Sequence, residues 1–362
     1  MVRGTHTAIR IAQIAVSISV LRYGIFMIVD LLIVLIAPAL TLALVPLLQA
    51  RAVDLGLIQV ANARSSHDGA RASGAGIVLA LGATLSGLLL ALVHNDPGLI
   101  APVATIAALA LVGFADDLFN LPVTQRLAAQ LLAALLLVLL AGGWDWFVTL
   151  PIWIAAPVLI AMALAGGLWI NLFNFMDGID GIAASEMAFV LVGLMALAAM
   201  SAPPSSPIWL FAGAAALAAI TFLIFNWQRA RIFGGDAGAY FHAAAIFWVS
   251  LAAVMSGCVN PYATVLLPAA FLTDAGVTLG TRALRGKRVW EGHRSHAYQH
   301  LARKIGHART VAVYLVYNLV WLLPLAALIQ LDILPSLPGL VLAYFPAIVF
   351  VVRNKAGQSE YA

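Results

Sequence analysis

Apolar stretches of roughly membrane-spanning length recur along almost the whole chain, at approximately residues 25–49, 75–93, 99–114, 127–142, 151–170, 183–200, 208–226, 238–257, 262–281, 310–330 and 337–352. Several fall short of the roughly 20 residues a helix needs to cross hydrocarbon, so their ends are fixed only to within a few positions. Short polar segments separate them, and nowhere does a long strand-like alternation replace the apolar runs. The pattern predicts an all-α fold: a polytopic transmembrane helical bundle of about 10–11 spans, with its functional loops on one side.

The polar segments fall into two alternating sets. The segments 95–98, 143–150, 201–207, 259–261 and 331–337 contain no Lys or Arg, whereas 51–74, 115–126, 171–182, 227–237, 282–309 and the tail after 352 carry 16 of the 19 basic residues. Positive charge is retained on the cytoplasmic side of a membrane, so the second set is expected in the cytosol. The remaining three, Arg3, Arg10 and Arg22, precede the first span. Residues 1–24 fit this topology poorly and are expected to be an N-terminal extension without a function of its own. Residues 25–353 form one integral-membrane domain and 354–362 a cytosolic tail.

Composition strengthens the membrane reading and narrows the chemistry. The chain of 362 residues is 63% hydrophobic and only 9% charged, far from the balance of a soluble domain. Its single cysteine, Cys258, excludes a disulfide framework or a cysteine-built metal site. The formal net charge of +4 reflects the loop asymmetry and an attraction to anionic headgroups or substrates. It is not a nucleic-acid signature.

With so few carboxylates, their placement is informative, because a charge beside hydrocarbon is costly. Three patches lie in the basic loop set: Gly113-Phe-Ala-Asp-Asp-Leu-Phe-Asn, Asn171-Leu-Phe-Asn-Phe-Met-Asp-Gly-Ile-Asp-Gly and Ile232-Phe-Gly-Gly-Asp-Ala-Gly. Asp116 and Asp117 point about 100° apart on a helix, so one can serve a metal or proton while the other holds a base such as Arg126. A solvated helix end explains that pair equally well. Asn171, Asn174, Asp177 and Asp180 recur every third residue, which would align two amides and two carboxylates along one helical stripe. Such a stripe offers oxygen ligands for a hard cation and acceptors for a nucleobase, although a loop cap is the simpler reading of polar spacing alone. Asp236 lies among Gly234, Gly235 and Gly238, where main chain can approach a phosphate, and Phe233 offers a face for stacking. A Gly-x-Gly at Gly74–Gly76 enters a span and carries little meaning by itself.

The loop 282–309 holds His293, Arg294, His296 and His300 together with Lys287 and Arg288. The three histidines are spaced to share a helical face and could be read as zinc ligands. No cysteine or suitably placed carboxylate completes a structural site, and the guanidinium beside them favours phosphate. A loop touching lipid headgroups is the plainer alternative. No Ser-His-Asp order, Walker loop or dinucleotide fingerprint is present.

Taken in order, Asp116-Asp117, Asn171…Asp177-Gly-Ile-Asp180-Gly, Phe233-Gly-Gly-Asp236 and His293-Arg-Ser-His296 resemble the polyprenyl-phosphate N-acetylhexosamine-1-phosphate transferases, over residues of about 30 to 350. The segment Asn62-Ala-Arg-Ser-Ser-His67 resembles that family's first cytosolic loop, and the histidine segment is similar to O-antigen initiating members. The resemblance implies transfer of a sugar 1-phosphate from a UDP-sugar to polyprenyl phosphate with release of UMP. It implies Mg²⁺, or Mn²⁺, as cofactor. It also implies a place in a bacterial cytoplasmic membrane with the active face in the cytosol, and it is compatible with a homodimer. On that basis Asp236 and Asn174 are expected to ligate the metal, and Asp116, Asp117 and Asp177 to act at the reacting phosphates. Asn171, Asp180, Phe233, His293, Arg294 and His296 are then expected to bind substrate. The first loop departs from the family pattern: Ala70-Arg-Ala-Ser-Gly-Ala-Gly76 has Ser73 where an arginine is usual, with Arg71 two positions earlier. Ala239 replaces an expected serine, and His242 a usual apolar residue. A cation-coupled transporter and a non-catalytic lipid-binding relative are the rival classes. The first would place carboxylates near the membrane midplane within an internal repeat, and neither is legible here.

Overall fold

The computed structural model describes residues 24–60, 70–143, 147–201, 206–288 and 293–358. The segment 62–67 and the extension before Gly24 lie outside the described residues. The helices are α1 (Gly24–Arg51), α2 (Gly76–Val93), α3 (Ile100–Phe119), α4 (Val123–Val138), α5 (Ile152–Met176), α6 (Ile182–Ser201), α7 (Pro207–Asn226), α8 (Gly235–Met255), α9 (Pro261–Leu266), α10 (Ala269–Leu284), α11 (Ala297–Ile305), α12 (His307–Gln330, with a π-turn at Asn318–Leu322) and α13 (Ser336–Arg353). Among the described residues, 10 helices are long and apolar enough to cross a membrane. The fold is the expected polytopic helical bundle. Its lipid side is an apolar surface such as no soluble protein shows: Leu31, Leu32 and Leu47 of α1 and Leu337, Val341 and Phe345 of α13 are all exposed.

Helices α6, α7 and α8 form the enclosed centre. Their buried faces carry Ala183, Ala184, Ala212, Ala215, Ala219, Ala243 and Ala244, small side chains that let backbones approach where no hydrophobic effect drives helices together. Helix starts follow local chemistry. Asn260 accepts a hydrogen bond from the Tyr262 N–H at 2.9 Å at the start of α9, and Asn120 ends α3 in a left-handed conformation.

Two boundaries differ from the pattern. The run 262–281 is two helices, α9 and α10, broken at Leu267-Pro268 because proline has no N–H for a continuous helix. The spans expected to end at 114 and 170 continue to Phe119 and Met176. The helices therefore carry Asp116, Asp117, Asn171 and Asn174 within their last turns, where other chain segments satisfy them.

The loop alternation has a structural counterpart. At one end of the bundle Gln330 donates to Ser201 Oγ (2.5 Å) and to the Cys258 carbonyl (3.0 Å) and accepts from the Asn260 N–H (2.8 Å), joining three of the loops that lack basic residues. At the other end, β1 (Ile58–Val60) pairs antiparallel with β2 (Ala70–Ala72), with Ile58 opposite Ala72. Ile232 adds a parallel bridge to Ala72. The Phe233 N–H then donates to Ala72 O (2.9 Å), Ala75 N–H to Phe233 O (3.0 Å) and Gly76 N–H to Gly234 O (2.9 Å).

This zipper seats the start of α8 between two glycines. A Cβ on Gly76 would lie 2.0 Å from the Gly238 nitrogen, and one on Gly113 would lie 2.5 Å from the Asp236 carbonyl oxygen. The Gly74–Gly76 element, uninformative as a sequence, is thus a helix-crossing point where only hydrogen fits. We expect Gly76→Val to lower the detergent-solubilised melting temperature sharply, at the upper end of the roughly 1–3 kcal/mol typical of overpacking. Gly280→Ala, which meets nothing within 4 Å, should change it little. Equal melting temperatures for both variants would contradict this packing.

Candidate active site

The polar end of the bundle gathers the three acidic patches around the first turn of α8. Asp117, on the last turn of α3, accepts from the backbone N–H groups of Asp236 (2.9 Å) and Ala237 (3.2 Å). A carboxylate at a helix N-terminus satisfies donors that have no partner inside the helix and opposes its dipole. Gly235 adopts φ +71°, and a Cβ there would lie 2.4 Å from Asp117 Oδ2, so the contact needs glycine. Asp236 thereby points back toward α5, where Asn174 Nδ2 donates to its Oδ1 at 3.0 Å. Its carboxyl also meets that of Asp116.

Asp116 is buried, 5% exposed, and its two oxygens are engaged by the Leu121 N–H (2.7 Å) and by Arg126 Nη1 (2.9 Å). Of the adjacent aspartates, Asp116 holds Arg126 and Asp117 holds the start of α8. Asn171 donates to Gln130 and to the Gly167 carbonyl, which turns it toward α4.

The expected four-residue stripe is interrupted. Helix α5 stops at Met176, Asp177 is its C-cap and Asp180 lies in the turn beyond. Just past that end, a Cβ on Gly178 would lie 2.1 Å from the Tyr298 hydroxyl, so the position needs glycine. Asp177 stays partly exposed beside the cluster, its Oδ2 close to Gly234. Burial, and then the nearby Asp117, push its carboxyl from 3.8 up to about 7. Asp180 goes elsewhere. It accepts from the Ala230 N–H (3.0 Å) and pairs with His307 (3.3 Å). Burial opposes its charge, but these bonds and Arg71 hold it below the ordinary value. Arg71 donates to the Ala230 carbonyl, so it braces this loop, while Ser73 is buried. Phe233 is fixed through its backbone by the zipper.

His293 and His296 are not on a helix; α11 begins only at Ala297. The expected common face of three histidines does not form. The rings of His293 and His296 stack at 4.9 Å, and both lie against Phe175, at 6.2 and 6.4 Å. His300 turns to the Gln358 carbonyl (3.2 Å) and Arg303 (2.8 Å). Burial, then His296 and Arg282, hold His293 down to about 3, so its ring is neutral near pH 7. Arg294 follows it in the same turn.

The donor set suits a hard divalent cation. Four carboxylates and an amide converge on one helix start, with Arg126 the side-chain cation bonded there, and like charges so close favour a bound cation. Among the described residues, no three His, Cys, Asp or Glu side chains form a ready-made ligand group. The residues that would hold the ion are Asp236, Asn174 and the carboxylates beside them.

Two buried acids escaped sequence reading. Glu186 of α6 accepts from Asn318 of α12 at 2.6 Å. Asp274 of α10 receives the start of α11. The partner of Glu186 lies 132 residues away, and the backbone donors to Asp274 lie 23 and 24 away, so local spacing does not announce these contacts.

Residues 99–254 match the family described as Glycosyl transferase family 4. The chain is 26% identical to the undecaprenyl-phosphate alpha-N-acetylglucosaminyl 1-phosphate transferase of Yersinia pestis, over 73% of this chain and 74% of that one. It is 25% identical to the decaprenyl-phosphate N-acetylglucosaminephosphotransferase of Mycolicibacterium smegmatis, over 70% and 69%. It is also 30% identical to the phospho-N-acetylmuramoyl-pentapeptide-transferase of Shouchella clausii, over 49% and 59%.

The raised Asp177 gives a signed expectation. A carboxyl protonated in the folded chain up to about pH 7, but only to about 4 when unfolded, makes folding take up a proton, so its contribution declines as pH rises through that window. In EDTA, the melting temperature of Asp177→Asn minus that of the unaltered protein should grow from pH 5 to pH 8. A difference independent of pH would contradict the assignment.

Proposed function

We propose that the chain is a polyprenyl-phosphate N-acetylhexosamine-1-phosphate transferase, as its match to glycosyl transferase family 4 and its relatives support, and that it moves an N-acetylhexosamine 1-phosphate from a UDP-sugar onto polyprenyl phosphate. An oxygen of the lipid phosphate attacks the sugar-bearing phosphorus, the bond to the UMP phosphate breaks, and UMP leaves with that electron pair. The observation that carries this reading is the packing of His293 and His296 on Phe175, between Asn174 and Asp177 in sequence. It brings the rings of His293 and His296, with Arg294 between them in sequence, against the end of α5 that carries Asn174 and Asp177.

Two anions must meet here, so charge neutralisation is the main chemical demand. Mg²⁺ or Mn²⁺, held by Asp236 and Asn174 with Asp177 beside them, would supply Lewis-acid stabilisation of the diphosphate. Asp117 holds the Asp236 main chain in place, and Asp116 keeps Arg126 at the mouth of the site, where its cation suits the incoming lipid phosphate. That phosphate is already ionised near neutral pH, so orientation matters more than a general base. Arg294 suits bidentate phosphate binding, and His293 and His296 suit the sugar or diphosphate. Asn171, Asp180 and Phe233 frame the uridine side, Asp180 through the loop it pins. The bacterial cytoplasmic membrane, with this end in the cytosol, is the compartment that the basic loops favour, and initiation of O-antigen or a related envelope glycan is the role such a product would serve.

Purified protein given undecaprenyl phosphate and UDP-N-acetylglucosamine should release UMP with Mg²⁺ and stop in EDTA. Asp236→Asn should lower turnover by about 10²–10³, as loss of transition-state charge stabilisation does. Release that ignores EDTA, or that proceeds without lipid phosphate, would overturn the reading.

A further inference from the structure

Asp274 is fully buried on α10, outside the carboxylate cluster, and every oxygen lone pair direction has a use. Oδ1 accepts from the Ala297 N–H (2.9 Å) and Thr278 Oγ1 (3.2 Å), and Oδ2 from the Tyr298 N–H (2.8 Å) and the Tyr314 hydroxyl (2.6 Å). His296 Nδ1 lies 3.4 Å from Oδ1. These are the residues that close the His293–His296 segment and open α11.

Simple capping does not account for this. Helix α11 already has a reciprocal capping box, in which Gln299 accepts from the His296 N–H at 3.2 Å. Where a cap alone is needed, Ser or Asn serves without the cost of a buried charge. What the carboxylate adds is one acceptor that takes two consecutive backbone N–H groups at the end of the histidine segment, with the His296 ring 3.4 Å away. Among the described residues both ring nitrogens of His296 and Nε2 of His293 are buried and have no hydrogen-bond partner. The same helix start carries Tyr298, whose hydroxyl donates to the Phe175 carbonyl at 2.9 Å. One residue thus ties the histidine segment to the loop bearing Asp177.

We propose that Asp274 is the positioning residue of the substrate site. Through the start of α11 it fixes the His293–His296 pair over Phe175, so that the unpartnered ring nitrogens of the two histidines meet the sugar diphosphate. This rests on the transferase reading above. Asp274 itself touches no substrate.

Binding of UDP-N-acetylglucosamine and of Mn²⁺ to the full chain in detergent tests it. Asp274→Asn and His296→Gln should each weaken UDP-N-acetylglucosamine binding about tenfold, yet the double variant should lose little more than either alone, because both remove one coupled unit. Mn²⁺ binding should be unchanged in all three, showing an intact carboxylate cluster. If the two losses multiply, or Asp274→Asn binds UDP-N-acetylglucosamine normally, the proposal is overturned. Should Asp274→Asn not fold, Tyr314→Phe removes one support of the carboxylate and spares the cap. It should weaken the sugar nucleotide without touching Mn²⁺, and full additivity with His296→Gln would refute the role. A native chain that binds Mn²⁺ but no UDP-N-acetylglucosamine overturns the transferase reading instead, and the proposal with it.

Discussion

A carboxylate at the edge of hydrocarbon needs donors or a cation to meet it, and the polar end of this bundle is organised around that need. Asp117 takes the first N–H groups of α8, Asp116 takes Arg126, Asp180 takes Ala230 and His307, and Asp274 takes the start of α11. Each of these acids fastens a loop or helix start to the bundle. Asp236 and Asp177 are different: Asp236 meets an amide and another acid, and Asp177 stays partly exposed. The chemistry is expected where pairing is incomplete.

Close packing makes this economy of charge workable. Asp117 reaches two consecutive N–H groups because Gly235 leaves room for it and because Gly76 and Gly113 let α2 and α3 press against the first turn of α8. The β1–β2 hairpin and Ile232 then hold the loop before α8 in register with the loop before α2. The altered first loop, with Ser73 for the usual arginine, keeps this scaffold intact. Arg71 braces Ala230 instead, so the departure leaves the carboxylate geometry in place.

Much of this was legible in the chain. Apolar runs of span length gave the bundle, and basic residues gave the sidedness of its loops. The crowding of Asp116, Asp117, Asp177 and Asp236 at span ends pointed to one site. Three things were not legible, each for a physical reason. A period of three from Asn171 to Asp180 suggests continuous helix, whereas α5 ends at Met176 and the hydroxyl of Tyr298, on distant α11, leaves room only for glycine at position 178. His293, His296 and His300 look helical by spacing, but Asp274 starts α11 only at Ala297. The value of Gly76 depends on Gly238 lying opposite, and sequence spacing says nothing about which backbones cross.

We propose that the start of α8 is a divalent-cation centre serving phosphosugar transfer. Anomalous scattering from crystals of the protein grown with Mn²⁺ and UDP tests it most directly. One strong manganese peak bounded by Asp236, Asn174 and Asp177 is expected, with the UDP phosphates between it and Arg294. A manganese peak among the histidines, or none near Asp236 at saturating Mn²⁺, would contradict it.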